Sequence, residues 1–230
     1  MNIIPAILTN DFDELKDKIA LIRGVAPMVQ VDICDGKFVN STTWPFLGGG
    51  VLDKHFVSIQ NEQEGMPFWE DVDFELDLMV VDAISNFDLY SKLSPKRMIF
   101  HIEMVEDTRE LAEFLEGIDP YVKDLIEFGV SKNPDTEMAK LEEVIPYVNF
   151  VQLMGIKNIG YQGEDFDERV LEDIKYLKNK YPDLEIAIDG GVNFDTAPAL
   201  ASAGASTLVV GSTIFNSNNI IDTVERLKEL

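Results

Sequence analysis

Short apolar runs alternate along the chain with longer stretches in which apolar residues recur every three or four positions. The runs are IIPAIL (3–8), MVQVDI (28–33), FELDLMV (74–80), RMIFHIEM (97–104), DLIEFGV (124–130), NFVQLM (149–154), EIAIDG (185–190) and TLVVG (207–211). Their length and their content of Val, Ile and Phe predict eight strands. Between them, DFDELKDKIALIRG, DTRELAEFLEGI, TEMAKLEEVI, DERVLEDIKYLKNKY and NIIDTVERLKEL have helical spacing, with Asp, Asn or Thr near their starts to cap free amides. Eight strand and helix units in 230 residues predict a single (β/α)8 TIM barrel over 1–230. The competing arrangement, an open doubly wound sheet, would carry a glycine-rich turn after the first strand, and Pro5 to Asn10 has none.

The rhythm breaks once, at about 36–73, where STTWPFLGGG and QNEQEGMPFW form an enlarged connection after the second strand. A loop of this size in a compact domain is commonly a lid or flap, and packing is the other use. It leaves the carboxyl end of a strand, the face where such barrels do chemistry.

Strand parity locates the candidate chemistry. Val29, Val31 and Ile33 share one face of their strand, while Gln30 and Asp32 share the other. In the same way Asp77 lies opposite Leu76 and Leu78, His101 shares a face with Glu103, Gln152 with Met154, and Asp189 with Ala187. With the apolar faces on the helical ring, Asp32, Asp77, His101, Met154 and Asp189 point into the barrel near its mouth. Three carboxylates so close raise one another's pKa, so a proton, a cation or a substrate donor must be shared among them. No Arg or Lys is legible on the strand faces at that mouth.

Charge narrows the ligand. The formal net charge is −23, from 42 acidic and 19 basic residues, which disfavours nucleic acid and anionic membranes. No apolar run reaches the roughly 20 residues of a membrane span. The amino terminus enters the first strand without a basic leader, and the lone Cys34 permits neither an internal disulfide nor a thiolate zinc cluster. These features predict a cytoplasmic protein, with Cys34 as a small packing residue. In so acidic a chain an anionic substrate must be held by local backbone amides, which glycines expose. Such loops follow the last three strands: GIKNIGYQG (155–163), IDGGV (188–192) and VVGSTIF (209–215). Loops after the seventh and eighth strands are the usual phosphate cradle of these barrels.

VDICDGKFV (31–39) resembles the VD-x-x-DG-x-FV signature of ribulose-phosphate 3-epimerases, and LDLMV, FHIEM, NPDT, IDGGVN, ASAGAS and VVGSTIF follow in that family's order. The resemblance covers nearly the whole chain apart from 36–73. It implies a ketose phosphate substrate, Asp32 and Asp189 as catalytic carboxylates, and Gly163, Gly190, Gly191, Gly211 and Ser212 on the phosphate loops. It also implies that Met79 and Met154 pack beside the reacting carbons, and that a homo-oligomer is possible. His101 is either a pocket residue or a hydrogen-bonded interior histidine.

The departures from the family bear on its metal. Gln30 and Asp77 stand where the family has histidine ligands, Ala6 replaces a serine, Cys34 a methionine, and NIGYQG the PGFGGQ loop. A set built from Asp32, Asp77, Asp189 and Gln30 is all oxygen, which suits Mg²⁺ or Mn²⁺ better than Zn²⁺, if an ion is bound at all. The expected activity is inversion of the carbon next to the ketone of a pentulose 5-phosphate. The alternatives are a phosphosugar-binding relative without turnover, or an isomerase of another ketose phosphate.

Overall fold

A computed structural model describes residues 1–230 and shows the closed parallel barrel. Its strands are β1 (Asn2–Ile7), β2 (Met28–Cys34), β3 (Asp73–Met79), β4 (Arg97–His101), β5 (Glu127–Lys132), β6 (Phe150–Met154), β7 (Glu185–Asp189) and β8 (Thr207–Val210). Each pairs with the next, and β1 pairs with β8 to close the ring. The outward faces of the strands, including Val29, Ile33, Leu76, Phe100, Val151 and Ile188, form one core with helix residues such as Leu15, Ile19, Leu111, Ile174 and Val224. The apolar layer is thus the ring between barrel and helices. The lumen is left to Gln30, Asp32, Glu75, Asp77, Arg97, His101, Ser131, Gln152 and Thr207, all buried.

The lumen closes at the amino ends of the strands. The Arg97 guanidinium carbon lies 3.5 Å from the centre of the Phe150 ring. Arg97 Nη2 donates to Glu185 Oε1 at 3.0 Å, and Nε lies 3.1 Å from Glu75 Oε2. Burial pushes the pKa of Glu75 up to about 8 against the pull of Arg97.

Three segments differ from the sequence expectation. β4 ends at His101, and Ile102–Met104 turn as a short 3-10 helix. Glu103 is thereby aimed at the next loop, where Oε1 accepts from the Asn133 amide at 2.8 Å and the Thr136 hydroxyl at 2.5 Å. β5 starts and ends later than 124–130. The helical turn Pro120–Lys123, capped by the Asp119 side chain, occupies the approach. At the other end Lys132 stays in the strand because its ammonium reaches Asp173 at 2.7 Å on the helix Arg169–Lys180.

The third is the connection over 36–73, for which the sequence leaves a lid and packing both open, and it carries structure of its own. It contains a helix, Lys54–Gln60, whose first amides are capped by Asp53. Trp44, Phe56, Met66 and Val72 from this span belong to the main core, and Trp44 Nε1 donates to Asp53 Oδ1 at 3.1 Å. Much of the segment therefore packs against the barrel wall and is anchored there.

Candidate active site

The register that pairs Asp32 with Asp77, and Met154 with Asp189, sets these side chains at one height near the carboxyl ends of the strands. Oxygen atoms of Asp32, Asp77 and Asp189 lie within 4.8 Å of one another. Gln30, one pleat below Asp32, donates its Nε2 hydrogens to Asp32 Oδ1 at 2.7 Å and Asp189 Oδ2 at 2.8 Å. Asp77 is held from the other side, by His101 Nε2 at 2.8 Å and more loosely by Gln152 Nε2 at 3.4 Å.

Electrostatics follow from this crowding. Burial, then the charges of Asp189 and Asp77, raises the pKa of Asp32 well above the carboxylate range. Burial, then Asp77, raises Asp189 to about 7. Burial works against a charge on His101, but the Asp77 carboxylate outweighs it and its pKa is raised. A cluster of this kind can hold a shared proton, and its hard oxygen donors also fit a small divalent cation.

The second aspartate of VDICDG does different work. Asp35 Oδ1 accepts from the amides of Lys37 and Phe38, both at 2.8 Å, and Oδ2 from Val81 at 2.9 Å. It shapes the turn after β2 and ties it to the end of β3. Thr43 completes the fastening: its hydroxyl donates to the Asp32 carbonyl at 2.6 Å and accepts from the Cys34 amide at 2.8 Å. Cys34 is fully buried, and burial pushes its thiol pKa up, which leaves it a packing residue.

Above the acids lies a cavity of about 310 Å³. Of the candidate site residues, Asp32, Asp189, Met79, Met154, Gly163, Gly190, Gly191, Gly211 and Ser212 line it. Asp77 and His101 do not, and both side chains are fully buried beneath it. No lysine or arginine lines the cavity.

The glycines there do more than expose amides. Gly190 and Gly191 have φ of 95° and 69°, and an added Cβ would lie 2.6 Å from Ile156 and 2.9 Å from Phe166 respectively. At Gly211 a Cβ would lie 2.4 Å from Gln162 Nε2, the far end of a flexible side chain.

Gln162, Asn193 and Thr213 also line the cavity, and sequence reasoning assigned none of them a role. Their signal was position: each lies within two residues of a glycine, in a segment that follows the carboxyl end of a strand. Gln162 Nε2 reaches the Ala6 carbonyl at 3.4 Å.

The chain matches the "Ribulose-phosphate 3 epimerase family" over residues 2–215. A curated "Ribulose-phosphate 3-epimerase" of Eremothecium gossypii is 26% identical over 231 residues, covering 99% of this chain and 91% of that protein. A "Ribulose-phosphate 3-epimerase, cytoplasmic isoform" of Oryza sativa subsp. japonica is 29% identical, with 99% and 92% covered. Among solved structures, KGPDC from Streptococcus mutans in complex with D-R5P superposes with a TM-score of 0.71 at 13% identity, covering 99% of this chain and 95% of that one. A 3-hexulose-6-phosphate synthase gives 0.68 at 14%, with 100% and 99% covered. At these identities the two structures share the fold.

Proposed function

Because the chain belongs to the ribulose-phosphate 3 epimerase family, we propose that it inverts the carbon next to the ketone of a pentulose 5-phosphate, with Asp32 and Asp189 as the acid–base pair. One observation carries this reading: the two carboxyls, from β2 and β7, meet at a single amide beneath the cavity, at 2.7 and 2.8 Å. Both have raised pKa values, so one can be protonated while the other is ionised near neutral pH. The ionised carboxylate removes the proton next to the ketone, leaving an enediolate, and the protonated one returns a proton to the opposite face. Met79 and Met154 offer apolar, acceptor-poor surface beside the reacting carbons.

The backbone around Gly163, Gly190, Gly191, Gly211 and Ser212 is assigned to the phosphate. With no cationic side chain in the cavity, amides and hydroxyls must carry that recognition.

Asp32, Asp77 and Asp189 would hold a divalent ion, with Gln30 as a neutral fourth ligand. The fit rests on the three carboxylates, whose oxygens lie within 4.8 Å of one another; the Gln30 Oε1, buried without a hydrogen-bond partner, would join them on turning its amide over. Bound, such an ion supplies positive charge for the developing enediolate, a contribution commonly worth about 100- to 1000-fold in rate. An all-oxygen set favours Mg²⁺ or Mn²⁺ over Zn²⁺. A cytoplasmic location accords with the name of the Oryza relative.

Ala6 at the position where the resemblance implies a serine, with the Gln162 amide at the Ala6 carbonyl, favours a second reading, in which the ketose phosphate differs from that of the named relatives. The deciding experiment is an epimerase assay on D-ribulose 5-phosphate, with and without Mg²⁺ or Mn²⁺, combined with deuterium uptake from solvent into the carbon next to the ketone. Asp32→Asn and Asp189→Asn are each expected to lose at least about 100-fold in turnover. Full uptake and full turnover in both variants would remove the pair from its role.

A further inference from the structure

We propose that Gln30 is a positioning residue whose side-chain amide has two working orientations. In the ion-free protein its NH2 ties Asp32 to Asp189, and with a divalent ion bound its oxygen turns to the carboxylate cluster. This rests on reading Asp32 and Asp189 as the acid–base pair.

Three observations converge on this residue. Its Nε2 stands 2.7 Å from Asp32 Oδ1 and 2.8 Å from Asp189 Oδ2, one hydrogen for each. An ionised carboxylate only accepts, so the shared atom is nitrogen whenever either acid is ionised. The other end of the amide, Oε1, is buried and accepts no hydrogen bond. The register partner of Gln30 on β3 is Glu75, which is also fully buried and points into the same lumen. Both Glu75 oxygens accept no hydrogen bond, although Arg97 Nε lies 3.1 Å from one of them. A half-turn about the Cγ–Cδ bond exchanges the two ends of the amide. The oxygen then faces the aspartates, and the NH2 takes the position in which Oε1 now has no hydrogen-bond partner.

Each orientation has a chemical use. Inversion passes a proton from one face of the substrate to the other, so the two acids exchange protonation states in each turnover. An NH2 with one hydrogen per carboxyl supports whichever of the two is ionised, in both reaction directions. A single ring N–H at this position could serve one of them at a time. When an ion is present, an amide oxygen is a hard, neutral ligand and adds no charge to three carboxylates. The same residue therefore couples the acids without an ion and releases them to it when one binds.

The test uses the full chain without substrate. The side-chain amide resonances of Gln30 are identified in a ¹⁵N–¹H spectrum by their loss in Gln30→Met. Mg²⁺ is then titrated, with binding followed in parallel by calorimetry. The Gln30 NH2 pair is expected to shift in step with Mg²⁺ saturation. Gln30→Met is expected to bind Mg²⁺ about 10- to 100-fold more weakly. Gln30→Glu, which keeps an oxygen and loses the NH2, is expected to hold or tighten binding, and it serves as the test if the Met variant fails to fold. Resonances that stay put at saturation, unchanged affinity in Gln30→Met, weakened affinity in Gln30→Glu, or no Mg²⁺ binding by the parent chain would each overturn the proposal. Failure of the acid–base reading shows separately, as undiminished deuterium uptake in Asp32→Asn and Asp189→Asn.

Discussion

His101 Nε2 lies 2.8 Å from Asp77 Oδ1, and neither side chain is exposed to solvent. The resemblance implies an imidazole ligand at position 77; in this chain a carboxylate stands there, with the buried imidazole of His101 behind it. Taking His101 away leaves a carboxylate buried without its principal donor. His101→Leu is therefore expected to cost about 3–5 kcal/mol in a urea unfolding measurement. His101→Gln retains an N–H donor, and its loss is expected to be smaller. Equal losses in the two variants would show that shape at this site matters more than the hydrogen bond.

The acids also set how stability responds to pH. Asp189 keeps its proton to about 7 and Glu75 to about 8 in the folded chain, and Asp32 is raised as well. Unfolded carboxyls release theirs near pH 4. The folded state thus binds more protons between about pH 4 and 8, so stability falls as pH rises through that window. His101 acts in the same direction: its raised pKa gives stability that is present in acid and lost as pH rises through the folded value. Without divalent ions, the urea midpoint is expected to drop from pH 5 to pH 8, and Asp189→Asn is expected to flatten the slope. A midpoint that climbs over the same range would contradict the assignment.

Divalent ions are expected to counter that loss. At a free concentration 100 times the dissociation constant, binding to the folded chain alone contributes about 2.7 kcal/mol. Mg²⁺ and Mn²⁺ are accordingly expected to raise the melting temperature more at pH 8 than at pH 5, where protons compete for the same oxygens. Asp77→His supplies a nitrogen ligand and is expected to shift the preference toward Zn²⁺. Scanning calorimetry with each ion checks both points.

Two glycines that line the cavity are expected to respond differently to alanine. Gly191 has φ of 69°, and its Cβ would press on the Phe166 backbone at 3.0 Å, so Gly191→Ala should lower the melting temperature. Gly211 has no such backbone demand, and its Cβ would meet the movable Gln162 amide. Gly211→Ala is expected to leave the melting temperature nearly unchanged and weaken phosphosugar binding, measured by calorimetry, at least about tenfold. Undiminished binding in Gly211→Ala would remove this loop from the ligand.

Parity made the polar lumen legible, because a closed parallel barrel turns alternate residues inward along every strand, and Asp32, Asp77 and Asp189 obey it. Hydropathy failed where a polar residue is satisfied by a distant partner. Lys132 extends β5 because Asp173 receives it from a helix 41 positions away. Glu103 leaves β4 because the Asn133 and Thr136 donors lie in another loop. The same limit hid the partners of Gln30 and Gln162: a sequence shows that an amide is present, but what it bonds comes from strands or loops about 160 residues apart, Asp189 for one and Ala6 for the other. For 36–73 the sequence leaves lid and packing both open, because a glycine-rich span does not show that Trp44 and Phe56 reach the core; their burial there favours packing for that part of the span.

Arg97, stacked on Phe150 and pinned to Glu185, makes the barrel a cup and not a tube. Whatever reaches the three aspartates arrives from above, through the cavity proposed for the substrate. A seated ligand is then a stopper: it isolates the acids from bulk water and from any scavenger dissolved in it. If an ion is held there, a chelator should strip the resting protein quickly and the ligand-saturated protein slowly. The rate of stripping would become a direct reading of how often the cup stands empty.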